Sequence, residues 1–221
     1  MRIKKKKHLK ERIDSAKEYL VVCERDISNV LEAIKDKRII DFYEVFKNDN
    51  PVSIEIGCGK GGFVTALAEI NQNKNYLAVE MLQNIIVMAI ENAKNKDLKN
   101  VRFINTGAEY LPRYIKDGSV SEIYLNFSPP YPPNSYENRR LTNSRYMGVY
   151  LDMLKPDGVI YQKTDDKPFF DYSVEKFIEH GFKVEILTEE SSDQFVSIKT
   201  EYENKFLSKG MPIYRLKASR V

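Results

Sequence analysis

Apolar residues in the first part of the chain fall at Leu9, Ile13, Ala16, Leu20, Cys23, Ile27, Val30 and Ile34, in steps of four and three that line one face of a helix. The spacing predicts a single long amphipathic helix packed on its own domain. From Pro51 onward the rhythm changes to short apolar runs separated by helical periodicity. Strands are expected at Val52–Ile56, Tyr76–Val79, Val101–Asn105, Ile123–Asn126, Val159–Lys163 and Lys183–Leu187. Helices are expected at Gly62–Ile70, Leu82–Asn95, Glu109–Ile115, Thr142–Leu154 and Pro168–His180, with Thr142 as the N-cap of its helix. Such alternation predicts an α/β fold with a doubly wound, mostly parallel sheet. After a polar stretch from Thr188 to Ser197, Met211–Leu216 alternates as a seventh strand, and the short connection before it favours antiparallel entry. The expected organisation is a basic arm and helix over residues 1–50, then one α/β domain over 51–221.

The run from Val52 to Gly62, Val-Ser-Ile-Glu-Ile-Gly-Cys-Gly-Lys-Gly-Gly, reads as a buried strand and a glycine turn opening a helix. Gly57, Gly59 and Gly61 let the backbone turn tightly and approach a ligand, and the helix start offers free N–H groups. A second strand ends at Glu80, about 20 residues on, where a carboxylate accepts both hydroxyls of a ribose. The same glycines contain a G-x-G-x-x-G spacing, so a nicotinamide dinucleotide competes. Glu55, in the strand before the turn, decides against it. A carboxylate there repels a pyrophosphate and favours an amino group and a sulfonium, which points to S-adenosylmethionine. A dehydrogenase therefore ranks last, and a second substrate domain is also missing.

Composition changes this picture little. A chain of 221 residues, 42% hydrophobic and 30% charged, suits one domain with a real core. No apolar stretch approaches the roughly 20 residues that span a bilayer, and no signal peptide precedes the basic start, so a cytoplasmic location without membrane contact is expected. Two cysteines, Cys23 and Cys58, and two histidines, His8 and His180, argue against a disulfide framework and a protein metal site. The net charge of +3 is unevenly spread: Arg2, Lys4, Lys5, Lys6, Lys7, Lys10 and Arg12 crowd the start against Glu11. Such an arm suits a phosphate backbone, although a solvated tail has the same composition.

The fourth strand runs into Leu125-Asn126-Phe127-Ser128-Pro129-Pro130-Tyr131-Pro132-Pro133, at the carboxyl edge where such sheets bind ligands. Prolines preset this loop and remove its N–H donors, leaving carbonyls and an aromatic ring for an entering base. With Ile54-Glu55-Ile56-Gly57, Ala78-Val79-Glu80, Arg139-Arg140-Leu141-Thr142, Thr164-Asp165, Phe170-Asp171-Tyr172-Ser173, Thr200-Glu201-Tyr202-Glu203 and Pro212-Ile213-Tyr214-Arg215, the chain from about Val52 to Ala218 resembles the bacterial tRNA (guanine-N7)-methyltransferases. The resemblance implies the class I methyltransferase fold and methylation of the guanine at position 46 in the tRNA variable loop. By the same resemblance Glu55 and Glu80 bind the cofactor, and Asp165 with Thr200, Glu201, Tyr202 and Glu203 meets the target nucleotide. A further position that meets the adenine falls at Gly107.

The loop departs from the family. Where Ser-Asp-Pro-Trp-Pro-Lys is usual, Pro129 replaces the aspartate, Tyr131 the tryptophan and Pro133 the lysine. Guanine N7 carries an in-plane lone pair, so attack on a sulfonium methyl needs alignment and dryness, not a general base. Loss of the aspartate then weakens positioning by on the order of 10²-fold if geometry slips. Three outcomes stay open: a rebuilt loop in which Ser128, Tyr131 and Asp165 orient the base, a slow enzyme, or a tRNA binder that has lost catalysis. Ser128-Pro129-Pro130-Tyr131 also resembles the loop of exocyclic-amine methyltransferases, which would give an adenine N6 or similar product. Arg139, Arg140 and the Lys4–Lys7 run are expected on phosphates. The oligomeric state, monomer or homodimer, stays open.

Overall fold

The structure is a computed structural model that describes residues 7–22, 29–132 and 134–220. The chain divides into two compact units, Met1–Ile115 and Lys116–Val221.

The first unit contains α1 (Leu9–Asp14), β1 (Leu20–Val22), α2 (Val30–Ala33), α3 (Phe42–Phe46), β2 (Val52–Ile56), α4 (Gly62–Ile70), β3 (Asn75–Val79), α5 (Gln83–Asn95), β4 (Val101–Ile104) and α6 (Leu111–Tyr114). Its strands lie in the order β1-β4-β3-β2, all parallel. Every residue of β2 and β3 is buried, as strands covered on both faces require, and this includes the polar Ser53 and Glu55 of β2 and Asn75 of β3. Helix α5 buries Ile86, Val87, Ala89, Ile90 and Ala93, the stripe its three-and-four spacing predicts.

The long helix expected over Leu9–Ile34 is broken. Helix α1 ends at Asp14, a single turn of 3-10 helix follows at Lys17–Tyr19, and Leu20–Val22 extends as β1. There Leu20 lies opposite Phe103 and Val22 opposite Ile104. The β-branched pair Val21-Val22 favours a pleated backbone, and pairing with β4 rewards it. Helix α1 is fixed separately, since Arg12 grips Glu91 of α5 with two hydrogen bonds of 2.6 Å. Cys23 and Ile27, the middle of the expected helix, lie outside the described residues, as do Arg2, Lys4, Lys5 and Lys6 of the arm.

The second unit contains β5 (Val120–Asn126), α7 (Ser144–Met153), β6 (Leu154–Thr164), α8 (Lys167–Glu179), β7 (Phe182–Leu187), α9 (Gln194–Ser197), α10 (Glu201–Leu207) and β8 (Tyr214–Arg220). The order is β5-β6-β8-β7, with β8 antiparallel to both neighbours. The antiparallel last strand is present but begins at Tyr214, after Pro212, which has no N–H for a ladder. Eight strands thus stand among the described residues where seven were expected, β1 being the addition. Asn143, not Thr142, caps α7 by accepting from the Arg145 N–H. Thr142 lies deeper, and its hydroxyl pairs with that of Ser173 at 2.8 Å.

Candidate active site

In the first unit, β2 ends in a turn whose three glycines all have positive φ: 80° at Gly57, 57° at Gly59 and 78° at Gly61. A Cβ on Gly57 or Gly59 would meet nothing within 4 Å among the described residues, which leave open space over the turn. At Gly61 a Cβ would stand 2.8 Å from that of Ala89, so this glycine lets α4 and α5 pack. Glu80, at the end of β3, is buried, and backbone fixes both its oxygens: Gly59 N–H donates to Oε2 at 3.2 Å and Leu82 N–H to Oε1 at 2.8 Å. Burial raises its pKa above the ordinary carboxylate value, against the pull of these N–H donors. Glu55 is buried in β2. Burial, then the charges of Glu55 and Glu80, push the Cys58 thiol in the turn far up, so it stays protonated.

Beyond β4, Asn105 is buried. Its amide donates to the Glu80 carbonyl at 2.8 Å, while its Oδ1 has no partner among the described residues. At Gly107 an added Cβ would sit 2.5 Å from Oε2 of Glu109, so the Glu109 carboxylate lies over this glycine. The unit thus gathers acceptors: Glu55, Glu80, Glu109 and the unpartnered Asn105 oxygen. A ligand rich in donors fits them, and S-adenosylmethionine is one, with two ribose hydroxyls, an adenine amine and an α-ammonium group. Three carboxylates also suit its cationic sulfonium better than a pyrophosphate.

In the second unit, the loop after β5 is strained. Phe127 and Tyr131 adopt φ of 50° and 44°, the left-handed region that costs a residue with a Cβ about 1–2 kcal/mol. The Phe127 N–H donates to the Lys163 carbonyl at 2.8 Å. Arg140 holds the far end, with Nε donating to the Pro130 carbonyl at 2.8 Å and Nη2 to the Tyr131 carbonyl at 3.1 Å. Its guanidinium lies 4.5 Å over the Tyr172 ring. Tyr172 is fixed in turn: its hydroxyl donates to Glu137 at 2.8 Å and accepts from Asn143 at 3.0 Å. Burial, then the Glu137 hydrogen bond, push that hydroxyl up to about 12. Ser128 is 8% exposed and its Oγ has no partner among the described residues. Pro129 and Pro130 lack N–H groups, and Pro133 lies outside the described residues.

Two adjacent carboxylates follow β6, with different tasks. Asp166 caps α8, accepting from the Phe169 N–H at 2.7 Å. Asp165 is therefore not the helix cap. It is half-buried, and no hydrogen bond or ion pair among the described residues engages it. After burial, its charge is what raises the Tyr202 hydroxyl. The Tyr202 ring stands 5.1 Å from that of Phe127 and 4.6 Å from that of Phe206.

Thr200 and Glu203 form a capping box around the start of α10. The Thr200 hydroxyl accepts from the Glu203 N–H at 2.9 Å, and the Glu203 carboxylate accepts from the Thr200 N–H at 3.4 Å. That carboxylate is fully buried and also accepts from Lys163 Nζ at 3.0 Å and Arg215 Nη2 at 2.7 Å. Lys163 additionally donates to the Ile198 carbonyl at 2.7 Å, and burial brings its ammonium down to about 8. Glu201 opens α10.

The structure thus brings Arg140 onto the Ser128–Tyr131 loop, Tyr202 beside Phe127, and Asp165 close enough to Tyr202 for its charge to act on that hydroxyl. Arg139 is set apart, exposed and stacked on Tyr136 at 4.7 Å. Sequence reasoning missed Phe127, Glu109, Lys163 and Tyr172. A lysine closing the expected strand Val159–Lys163 was the available signal for a buried cation, and the Thr-x-x-Glu spacing the signal for the capping box. Nothing in the sequence marks Phe127 for a positive φ.

A family model described as "Putative methyltransferase" matches residues 49–216. The tRNA (guanine-N(7)-)-methyltransferase of Listeria monocytogenes serotype 4b (strain F2365) is 42% identical over 177 residues, 79% of this chain and 83% of its own. That of Bacillus licheniformis is 40% identical over 179 residues, 80% of this chain and 84% of its own. Among solved structures, the precorrin-6y C5,15-methyltransferase of Geobacter metallireducens GS-15 superposes with a TM-score of 0.56 at 16% identity, covering 90% of this chain and 94% of that one. At that identity the likeness concerns the fold, the α/β methyltransferase sheet. Among the described residues no helix is long and apolar enough to cross a membrane.

Proposed function

The chain belongs to the tRNA (guanine-N7)-methyltransferase family, and on that premise we propose that it methylates N7 of the guanine at position 46 in the tRNA variable loop, forming 7-methylguanosine. The observation that carries the reading is Asp165: a half-buried carboxylate with no partner among the described residues, beside the exposed Tyr202 ring, on the motif where the family meets its nucleotide. A guanine offers N1–H and N2–H donors on one edge and a stacking face, and a free carboxylate next to an aromatic ring accepts both. Adenine, with a single amine on that edge, satisfies such a carboxylate less well.

S-adenosylmethionine supplies an electrophilic methyl group. The residues of the first unit bind and orient it: Glu80, fixed by the Gly59 and Leu82 N–H groups, accepts from the ribose, and Glu55 from the cationic methionine end. Gly57 and Gly59 leave the backbone open to close approach. Glu109, lying over Gly107, takes the acceptor role toward the adenine that a side chain at position 107 would have had. No residue has to remove a proton, because the N7 lone pair is already free. The protein's task is to align the base and exclude water.

In the second unit, Asp165 accepts from the guanine edge, Tyr202 stacks, and Ser128 Oγ with the Pro129 turn and the Tyr131 ring forms the other wall. Glu203 anchors Thr200, Glu201 and Tyr202 from beneath. Arg139 and the basic arm meet phosphates. The methyltransferase domain is residues 51–221, which the family match over 49–216 supports, and residues 1–50 add the arm. A tRNA substrate puts the reaction in the cytoplasm.

The experiment is to incubate the protein with labelled S-adenosylmethionine and unmodified tRNA, digest, and identify the methylated nucleoside by mass spectrometry. The expected product is 7-methylguanosine, lost when position 46 is not guanine. Methyladenosine would transfer the assignment to the exocyclic-amine chemistry of the Ser-Pro-Pro-Tyr loop. Tight tRNA binding without transfer would leave a noncatalytic binder.

A further inference from the structure

We propose that Arg140 is a positioning residue of the methyl-transfer reaction, clasping the Pro130 and Tyr131 carbonyls to hold the Ser128–Tyr131 loop in the strained shape that meets the base. The inference rests on the methyltransferase reading above and concerns how a loop without the family's aspartate keeps its geometry.

The loop cannot hold itself. Pro129, Pro130 and Pro132 have no N–H to donate, and Phe127 and Tyr131 stand at positive φ, which persists only where the surroundings over-determine it. Arg140 supplies what is missing, because a guanidinium presents several donors in one rigid plane and two of them meet two consecutive carbonyls. The same plane lies on Tyr172, so the fork cannot tilt. Tyr172 is itself tied to Glu137 and Asn143. Arg140 is 8% exposed, which also removes it from the phosphate-binding surface where its neighbour Arg139 remains. With two carbonyls engaged by Arg140, the buried Ser128 Oγ, without a partner among the described residues, is left available to a ligand.

Two positions next to each other in the chain therefore separate two functions. Arg139 should act on affinity and its salt dependence, and Arg140 on the rate of transfer.

The chain contains no tryptophan, so Tyr131→Trp places a single fluorescent reporter in the loop. Arg140→Ala, alone and with that reporter, is compared with Arg140→Lys and with the parent protein. For Arg140→Ala the expected result is a fall in kcat of on the order of 10²-fold, tRNA affinity and its salt slope within twofold of the parent, S-adenosylmethionine affinity unchanged, and lower fluorescence anisotropy of the introduced indole. Added guanidinium should restore part of kcat. Arg140→Lys, which keeps the charge and loses the planar fork, should lose at least tenfold in kcat. Unchanged kcat in either variant overturns the proposal. So does a weaker tRNA affinity whose salt slope is shallower by about one charge with kcat intact, since that is the signature of a phosphate contact. Should Arg140→Ala fail to fold by circular dichroism, Arg140→Lys decides by the same readings. If the parent protein forms no 7-methylguanosine, the functional reading fails, while the indole anisotropy still tests the clamp.

Discussion

Replacing Glu203 by glutamine tests whether this glutamate anchors the site or reads the substrate. In the wild-type chain its carboxylate is fully buried between Lys163 Nζ at 3.0 Å and Arg215 Nη2 at 2.7 Å. A glutamine keeps the shape but offers one acceptor, and its amide N–H then faces a second donor. Removing one partner of a buried ion pair costs about 3–5 kcal/mol. Part of this is recoverable. Lys163, already down to about 8, can shed its proton, which at pH 7 costs about 1.4 kcal/mol per unit of pH below its pKa. Arg215 cannot lose its proton, but it retains the Ile213 carbonyl at 3.1 Å and Glu189 at 2.6 Å. A net loss of about 2–4 kcal/mol follows, a fall in Tm of roughly 4–16 °C for a chain of this size. The sign of its pH dependence is fixed. Losing the anion lowers the folded-state pKa of Lys163 further below its unfolded value, so the variant binds fewer protons when folded, and its deficit should be larger at pH 6 than at pH 9. Urea denaturation followed by circular dichroism at the two pH values measures it. A variant as stable as the wild type at pH 6 but at least 10²-fold slower would refute the anchoring argument and make Glu203 a substrate contact.

Three further outcomes are expected. Gly61→Ala should destabilise by about 2–4 kcal/mol, from left-handed strain and overpacking against Ala89, whereas Gly59→Ala, with open space at its Cβ, should cost only about 1–2 kcal/mol of strain; equal losses on thermal melting would remove the packing role of Gly61. Glu80→Ala should raise the dissociation constant for S-adenosylmethionine while tRNA affinity stays nearly intact, and calorimetry showing equal loss of both would sink the assignment. Deleting residues 1–7 should flatten the dependence of log K on log salt for tRNA, and an unchanged slope would make the arm a tail.

What could be read from the chain alone was what is decided locally. The run Val52–Gly62 and the carboxylate at Glu80 carry their meaning in short-range patterns, because a buried parallel strand and a glycine turn each leave one. The same holds for the late strand, whose antiparallel entry followed from a short connection. Pairing between distant segments left no such mark. Leu20 fits a helical stripe as well as a strand, and only β4, some 80 residues on, selects the strand. Asp165 and Asp166 are chemically identical, and the backbone geometry at the start of α8 decides which caps. Arg139 and Arg140 likewise part company through Tyr172, about 30 residues away. The Thr200-x-x-Glu203 spacing was visible, but a capping box and a substrate-reading segment share it, and burial alone separates them.

Strand β1 bears on how the chain can be shortened without harm. It covers the outer side of β4, a strand in which Val101, Phe103 and Ile104 are fully buried. A chain that begins only after Val22 would present that side bare, with a row of unanswered backbone groups flanked by apolar side chains, which is a template for strands of other molecules. Such a truncation should therefore precipitate or self-associate, whereas one stopping before Leu9 should stay dispersed. In the first unit three residues near the start act as a guard against aggregation, a service independent of any methyl group transferred.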